Sequence, residues 1–270
     1  MEKALDFSTR YGPWAIVAGA SEGTGRSFAR AIAARGVNVL MLANGGPLEE
    51  EAAAVARDFG VEAIPAFVDL ARPEAFDQIV EAVGGREVGL YVSNAGTDYF
   101  GKTFLDSLLA GWLDMIAVNT STMVKAAHHF GGLMRGRGRG GLLMVNSGAC
   151  YMGGGRLAIY TACKGFQLNF CQSLWTELRP HGVDVLSLVL GKTDTPNYHA
   201  LQRKKGMPSS TDIASPDDVA EQGLTSLALG PVQHVGLADD EAGMFTWSAA
   251  EMRERVLAMD AAIAQGFGKA

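Results

Sequence analysis

Tyr160 and Lys164 stand four residues apart, the spacing that puts two side chains on one face of a helix. A phenol alone has a pKa near 10 and is a poor base at neutral pH. An ammonium fixed beside it stabilises the phenolate and makes the group usable as a general acid or base. Of the six tyrosines in the chain, only Tyr160 has a lysine at this offset. The bland reading of the pair is a surface helix with a solvated lysine. Ser147 argues against it: this residue closes an apolar run thirteen residues before Tyr160, where its hydroxyl could hold a substrate oxygen beside the phenol. Asn119 lies inside a long helical pattern, in Val118-Asn119-Thr120. Asparagine is unfavourable there, so it is expected either to hydrogen-bond backbone or water or to be a merely structural buried amide.

A second set of residues suits a dinucleotide. The first apolar run leads into Ala18-Gly19-Ala20-Ser21-Glu22-Gly23-Thr24-Gly25, and a helix follows at once. Glycines here let the backbone approach a pyrophosphate, whose charge sits against the amides at the helix N-terminus. An ordinary strand-to-helix turn is the plainer alternative, and the position after the first strand of a βαβ unit favours the binding one. The second strand ends in Leu42-Ala43-Asn44-Gly45-Gly46, with no acid for ribose hydroxyls and no Arg or Lys for a 2′-phosphate. An unpaired phosphate loses more than an unassisted hydroxyl, which Asn44 could still bond, so NAD is favoured over NADP. Asp69, followed by Leu70, is placed either to accept from the adenine amino group or to cap the helix beginning near Pro73. Ser93-Asn94-Ala95-Gly96 supplies small residues under the adenosine half of the cofactor.

The elements that must position these groups alternate along the chain. Strands are expected at Trp14–Ala18, Val37–Leu42, Ala63–Val68, Val88–Val92, Leu142–Asn146, Val183–Val189 and Gln233–Gly236. Helices are expected at Thr24–Ala34, Leu48–Phe59, Glu74–Val83, Trp112–Met134, Ala158–Leu178 and Pro216–Leu229. The strands are continuously apolar, as required when helices cover both faces of a parallel sheet. The fold expected is α/β: a doubly wound, seven-stranded parallel sheet. No linker or repeat divides the 270 residues, so one domain spans 1–270, with a helical tail from about 237 to 270 over the substrate end or an interface.

A net charge of −6 and a pI near 5.4 argue against nucleic acid or an anionic membrane as partner. Arg135, Arg137 and Arg139 in RGRGRG read as a solvated turn. Cys150, Cys163 and Cys171 are odd in number and form no CxxC pair, which argues against a zinc or disulfide framework and suits a reducing cytoplasm. His128-His129 has no partner at metal-ligand spacing, so no metal is expected. The N-terminus has no signal-like apolar region, and no apolar run reaches the length of a membrane span.

Taken together, Gly19-x3-Gly23-x-Gly25, Ser93-Asn94-Ala95-Gly96, Asn119, Ser147 and Tyr160-x3-Lys164 resemble the short-chain dehydrogenase/reductase family over roughly residues 12 to 230. The resemblance implies a Rossmann fold and a catalytic tetrad. In it Tyr160 exchanges a proton with the substrate oxygen and Lys164 binds the nicotinamide ribose and tunes Tyr160. Ser147 orients the carbonyl, and Asn119 anchors a proton-relaying water. It also implies cofactor contacts from the turn Leu190-Gly191-Lys192-Thr193-Asp194-Thr195, with Thr195 on the carboxamide and Gly191 and Thr193 beside it; Leu190 replaces the family's usual proline. Within the family the chain looks most like bacterial 7β-hydroxysteroid dehydrogenases, through Tyr11-Gly12-x-Trp14, Glu22, Leu190-Gly191 and the helical tail. Those relatives carry arginine after the second strand, unlike Asn44-Gly45-Gly46.

The expected reaction is NAD(P)-dependent interconversion of an alcohol and a ketone on a bulky hydrophobic, steroid-like substrate. Lining residues would include Tyr99, Phe100, Tyr151, Met152, Leu157, Tyr198 and Leu201. The alternatives are a 3-oxoacyl thioester reductase, with Lys192, Arg203, Lys204 and Lys205 as its basic patch, and a non-catalytic dinucleotide sensor. The family resemblance further implies a homodimer or homotetramer through the helices holding Asn119 and Tyr160. Met244, Phe245, Trp247 and a helix over Ala249–Ala264 are expected at the substrate end or a subunit contact.

Overall fold

A computed structural model describes residues 6–96, 101–205, 213–243 and 246–267. Seven parallel strands are β1 (Trp14–Ala18), β2 (Asn38–Ala43), β3 (Ala63–Phe67), β4 (Val88–Ser93), β5 (Gly140–Ser147), β6 (Val183–Leu190) and β7 (Val232–His234). They form one sheet in the order β3-β2-β1-β4-β5-β6-β7. The chain winds outward one way from β1, then returns to β4 on the other side of β1. The crevice for a ligand in such a sheet lies at that reversal, outside the carboxyl ends of the strands.

Ten helices surround the sheet among the described residues: α1 (Phe7–Tyr11), α2 (Gly23–Ala33), α3 (Leu48–Phe59), α4 (Ala75–Val83), α5 (Leu109–Ile116), α6 (Thr122–Arg137), α7 (Ala158–Leu178), α8 (Pro196–Lys205), α9 (Pro216–Ser226) and α10 (Ala249–Phe267). Successive strand residues point to opposite faces, and both faces are buried. Ile16, Leu142 and Met144 join Ile79, Phe130, Trp175 and Met252 from α4, α6, α7 and α10. Their neighbours Ala15, Val17, Leu143 and Val145 join Phe28, Ile32, Val55 and Val219 from α2, α3 and α9. Hence the strands read as unbroken apolar runs.

Ser215 Oγ accepts from the Asp217 amide at 3.2 Å, with Pro216 at the first position of α9. The expected helix Trp112–Met134 is different: it begins earlier, ends at Arg137, and is broken by a π-helical turn at Ala117–Ser121. The arginine-glycine segment is not a solvated turn. Arg139 donates to the carbonyls of Thr9 and Gly12 at 2.9 and 3.0 Å and pairs with Glu87, while Arg137 donates to the carbonyl of Val88 at 2.5 Å. These arginines tie α1 and β4 to the end of α6, on the sheet edge away from the crevice. Two short elements, α1 and α8, were not expected from the sequence.

Candidate active site

Ser147 ends β5 at the carboxyl edge, and its Oγ accepts from the Ala149 amide at 3.3 Å as a three-residue 3₁₀ turn begins. Tyr160 lies in the first turn of α7, half-buried, and Lys164 follows on the same face. The Nζ of Lys164 is 5.7 Å from the centroid of the Tyr160 ring. Lys164 is only 2% exposed. It donates to the carbonyl of Val145 at 2.9 Å and to Oε1 of Gln167 at 3.0 Å. An ammonium has three donors, so a third remains for a ligand hydroxyl. Burial pushes the Lys164 pKa down to about 8, which still leaves the amine mostly protonated at pH 7.

Asn119 sits inside the π-helical turn, a feature frequent at functional sites. Its Nδ2 donates to the carbonyl of Met115 at 2.9 Å, and its own carbonyl accepts from Gln167 Nε2 at 2.6 Å. Its Oδ1 is buried and has no hydrogen-bond partner among the described residues. A buried acceptor left open in this way calls for a bound group. Gln167 therefore joins Lys164 to Asn119, and the sequence reading did not find it. Nor did it find Asn146, whose Nδ2 donates to the carbonyl of Lys164 at 3.2 Å and to Ser187 Oγ at 3.0 Å, pinning α7 to the sheet. The only sequence signal for Gln167 is its offset of three from Lys164 on the same helix face.

The glycine-rich turn is packed as a cradle. Gly19 has φ +77°, and a Cβ there would meet the Cα of Ala95 at 3.0 Å. A Cβ on Gly25 would strike the carbonyl of Gly19 and the amide of Asn94. Asn94 Nδ2 donates to the Gly19 carbonyl at 3.0 Å, so the turns after β1 and β4 are held together. Gly96, at φ +136°, lies against the side-chain amide of Asn119, which a Cβ would strike. Thr24 and Gly25 are buried at the start of α2, and Glu22 precedes them without a side-chain capping bond. A Cβ on Gly23 would meet Cγ2 of Thr195 at 3.1 Å, so the turn after β6 closes onto the glycine-rich turn. Thr195 Oγ1 accepts from the amide of Tyr198 at 3.2 Å, Thr193 is buried, and Gly191 has open space around it. These small residues fit a dinucleotide: they bring bare backbone to the crevice and exclude side chains from it.

Asp69 accepts from the amide of Ala71 and from Arg72 Nε, each at 3.0 Å, so it caps the turn; a carboxylate still has lone pairs for an amino group. Leu70 is buried, and its carbonyl accepts from Thr122 Oγ1 at 2.9 Å. Asn44 is exposed at the tip of β2, and Ser21 packs beside Gly46, where a Cβ would meet its Oγ at 3.2 Å. Tyr99, Phe100, Met244 and Phe245 lie outside the described residues. The cysteines at 150, 163 and 171 are buried and free. His129 packs edge-on against Phe76 and Phe130, and no group of three His, Cys, Asp or Glu side chains among the described residues could hold a metal.

A doubly wound parallel sheet with a glycine cradle at its switch point, and with Ser147, Tyr160 and Lys164 on neighbouring elements, defines a dinucleotide-dependent oxidoreductase of alcohols and ketones. The chain belongs to the short-chain dehydrogenase family, whose model matches residues 13–206. It is 31% identical to a 7beta-hydroxysteroid dehydrogenase of Collinsella aerofaciens, over 72% of this chain and 73% of that one. It is 30% identical to the inactive hydroxysteroid dehydrogenase-like protein 1 of Danio rerio, over 83% of this chain and 70% of the relative. A solved 7beta-hydroxysteroid dehydrogenase superposes with a TM-score of 0.77 at 26% identity, over 86% of this chain and 90% of the other. A short-chain dehydrogenase from Sphingobium yanoikuyae in complex with NADPH shares the fold at a TM-score of 0.78 and 22% identity, covering 94% and 96%.

Proposed function

We propose that the protein interconverts a secondary alcohol and a ketone on a bulky hydrophobic, steroid-like substrate. The observation that carries the reading is the buried Lys164 ammonium, 5.7 Å from the Tyr160 ring, on the helix that follows the strand ending in Ser147. When bound, the dinucleotide supplies or accepts the hydride. Tyr160 gives its proton to the substrate oxygen on reduction and takes it back on oxidation. Lys164 favours the phenolate by its charge and offers its third N–H to the nicotinamide ribose. Ser147 holds the substrate oxygen in line, and Asn119 offers its open Oδ1 to a proton-relaying water.

Gly19, Ser21, Glu22, Gly23, Thr24 and Gly25 carry the pyrophosphate in this reading. Asp69, Leu70, Asn94, Ala95 and Gly96 take the adenosine half. Gly191, Thr193 and Thr195 face the carboxamide. NAD is the favoured cofactor, because Asn44 follows β2 without a neighbouring cation in residues 43–46 to meet a 2′-phosphate. Fluorescence titration tests this: NADH should bind at least as tightly as NADPH, and a preference for NADPH of about tenfold, roughly 1.4 kcal/mol, contradicts it.

Support for the substrate class comes from the 7beta-hydroxysteroid dehydrogenases among the relatives and from Tyr151, Met152, Leu157, Tyr198 and Leu201 on segments at the carboxyl edge. One relative is named inactive, yet Tyr160 and Lys164 are both in place here, and a mere dinucleotide sensor does not need the Tyr160 phenol. The chain is read as one domain, 1–270, whose tail helix α10 packs on α7 and β7. It is read as a cytoplasmic homodimer or homotetramer. Buried free thiols support the compartment, and apolar side chains exposed on α6 and α7, such as Leu133 and Phe166, support the assembly.

The deciding experiment is a panel of hydrophobic ketones and alcohols, steroids included, with a 3-oxoacyl thioester alongside, followed by the absorbance of the reduced nicotinamide. Turnover should be highest on a polycyclic ketone or alcohol. Preference for the thioester, or no turnover of any member, contradicts the reading.

A further inference from the structure

The turn that follows β3 grips the helix on both sides of Asn119. Ahead of Asn119, Nη2 of Arg72 pairs with Oδ2 of Asp114 in α5 at 3.1 Å. Beyond it, the carbonyl of Leu70 accepts from Thr122 Oγ1 at 2.9 Å in a buried bond, and the carbonyl of Pro73 accepts from Lys125 Nζ at 3.5 Å. Residues 70–73 therefore span the π-helical turn Ala117–Ser121. Asp114 stands at the threshold of that turn, because its backbone carbonyl accepts from the Ala117 amide.

Arg72 has a second partner on its own turn. Its amide donates to the Asp69 carbonyl at 3.0 Å, which closes a β-turn over residues 69–72 and brings the side chain back against Asp69. Arg72 Nε then donates to Oδ2 of Asp69 at 3.0 Å, while Oδ1 accepts from the Ala71 amide at 3.0 Å. One planar guanidinium thus faces Asp69 through Nε and Asp114 through Nη2, a bridge that the single ammonium of a lysine does not reproduce. Each Asp69 oxygen has one protein donor, so the carboxylate cannot rotate freely and a lone pair stays open on each. The three side chains are about half exposed, and an isolated pair there would contribute little; a bridge of three charges between a closed turn and a helix has fixed geometry. The turn does not need Arg72 to hold together, since its backbone bond closes it and the Thr122 hydroxyl docks it. What the guanidinium adds is the orientation of Asp69.

We propose that Arg72 is a positioning residue: anchored on Asp114, it holds the Asp69 carboxylate in the orientation that accepts from an adenine amino group, and so sets how well the protein tells an adenine dinucleotide from one carrying an oxo group at that position. The inference rests on the reading of Asp69 as part of the adenosine site and sharpens it. A site that hydrogen-bonds an N–H rejects the analogue lacking it only while its acceptor is held in place. An oxo group sets one acceptor against another, and a carboxylate freed from Arg72 swings away from it.

The test titrates the full-length protein with NADH and with reduced nicotinamide hypoxanthine dinucleotide, in which an oxo group replaces the adenine amino group, and follows the nicotinamide fluorescence. The wild type should bind NADH more tightly by about fivefold or more. In Asp69→Ala that ratio should fall to within about twofold of one. In Arg72→Met it should fall likewise, Arg72→Lys should not restore it, and Asp114→Asn, which removes the anchoring charge, should at least halve it. Thermal unfolding shows that each variant is folded; should Arg72→Met not fold, Asp114→Asn decides by the same ratio. A merely structural Arg72 weakens both dinucleotides equally. The wild-type ratio retained in Arg72→Met and Asp114→Asn but lost in Asp69→Ala therefore overturns the positioning role and leaves the adenosine site standing. A wild type that does not distinguish the two dinucleotides, or an Asp69→Ala that keeps the full ratio, overturns the reading of Asp69 itself, and the role of Arg72 falls with it. Failure of the wild type to bind either one overturns the cofactor reading.

Discussion

Gln167 binds Asn119 and Lys164 at once: its Nε2 donates to the Asn119 carbonyl at 2.6 Å while its Oε1 accepts from the Lys164 ammonium at 3.0 Å. The side chain is 1% exposed, so neither bond can be replaced by bulk water. Gln167→Leu leaves a carbonyl and one ammonium donor unsatisfied in the interior. It should lower stability by about 1–3 kcal/mol and reduce kcat by about tenfold or more. Urea unfolding and steady-state kinetics check this. Wild-type values in both would remove Gln167 from the site's framework.

Lys164 predicts a pH signature of its own. Its pKa in the folded chain is about 8, below the ordinary 10.5, so between these values the unfolded chain binds more protons than the folded one. Burying the charged amine is therefore most costly at pH 8 and below, and the penalty fades as the pH rises to 10.5. Relative to Lys164→Met, the wild type should gain stability across that window by up to roughly 3 kcal/mol. Unfolding free energies of both proteins at pH 7.5 and pH 10 measure the difference. A gap that stays constant, or moves the other way, contradicts a buried titrating ammonium. Activity of Lys164→Met should be lower by about 10²- to 10⁴-fold at pH 7.5, and the gap should narrow by pH 10 as the wild-type amine loses its charge.

Gly96 tests whether the cradle and the tetrad are one unit. Its φ of +136° disfavours any side chain, and a Cβ would enter the amide of Asn119. Gly96→Ala should destabilise the protein by at least about 1–3 kcal/mol and impair both dinucleotide binding and turnover. Thermal unfolding with fluorescence titration reads both effects. A variant with unchanged melting temperature and dinucleotide affinity would separate Asn119 from the cofactor crevice.

Much of this arrangement was legible before any coordinates. The strands were readable because burial on both faces makes most positions apolar, and β1 was found to the residue. Tyr160, Lys164, Ser147 and the glycine-rich turn were readable because each depends on local spacing. The π-helical turn around Asn119 was not, since one extra residue in a turn leaves the 3.6-residue pattern almost intact on either side. Asn146 and Gln167 were missed for another reason. A polar residue in an apolar stretch shows its purpose only when its partner is known, and those partners lie 18 to 48 residues away or on another element. Arg137 and Arg139 misled because glycine spacing suggested an open turn, whereas the acceptors that hold them, Thr9, Gly12 and Val88, come from the opposite end of the chain or the adjacent strand.

The central claim, that the Tyr160 phenol moves the proton, is tested most directly by Tyr160→Phe with two readouts on one preparation. The kcat on the best ketone of the panel should fall by at least about 10²-fold, while the reduced dinucleotide binds within about threefold of the wild type. Retention of more than about a tenth of the wild-type kcat would contradict the account.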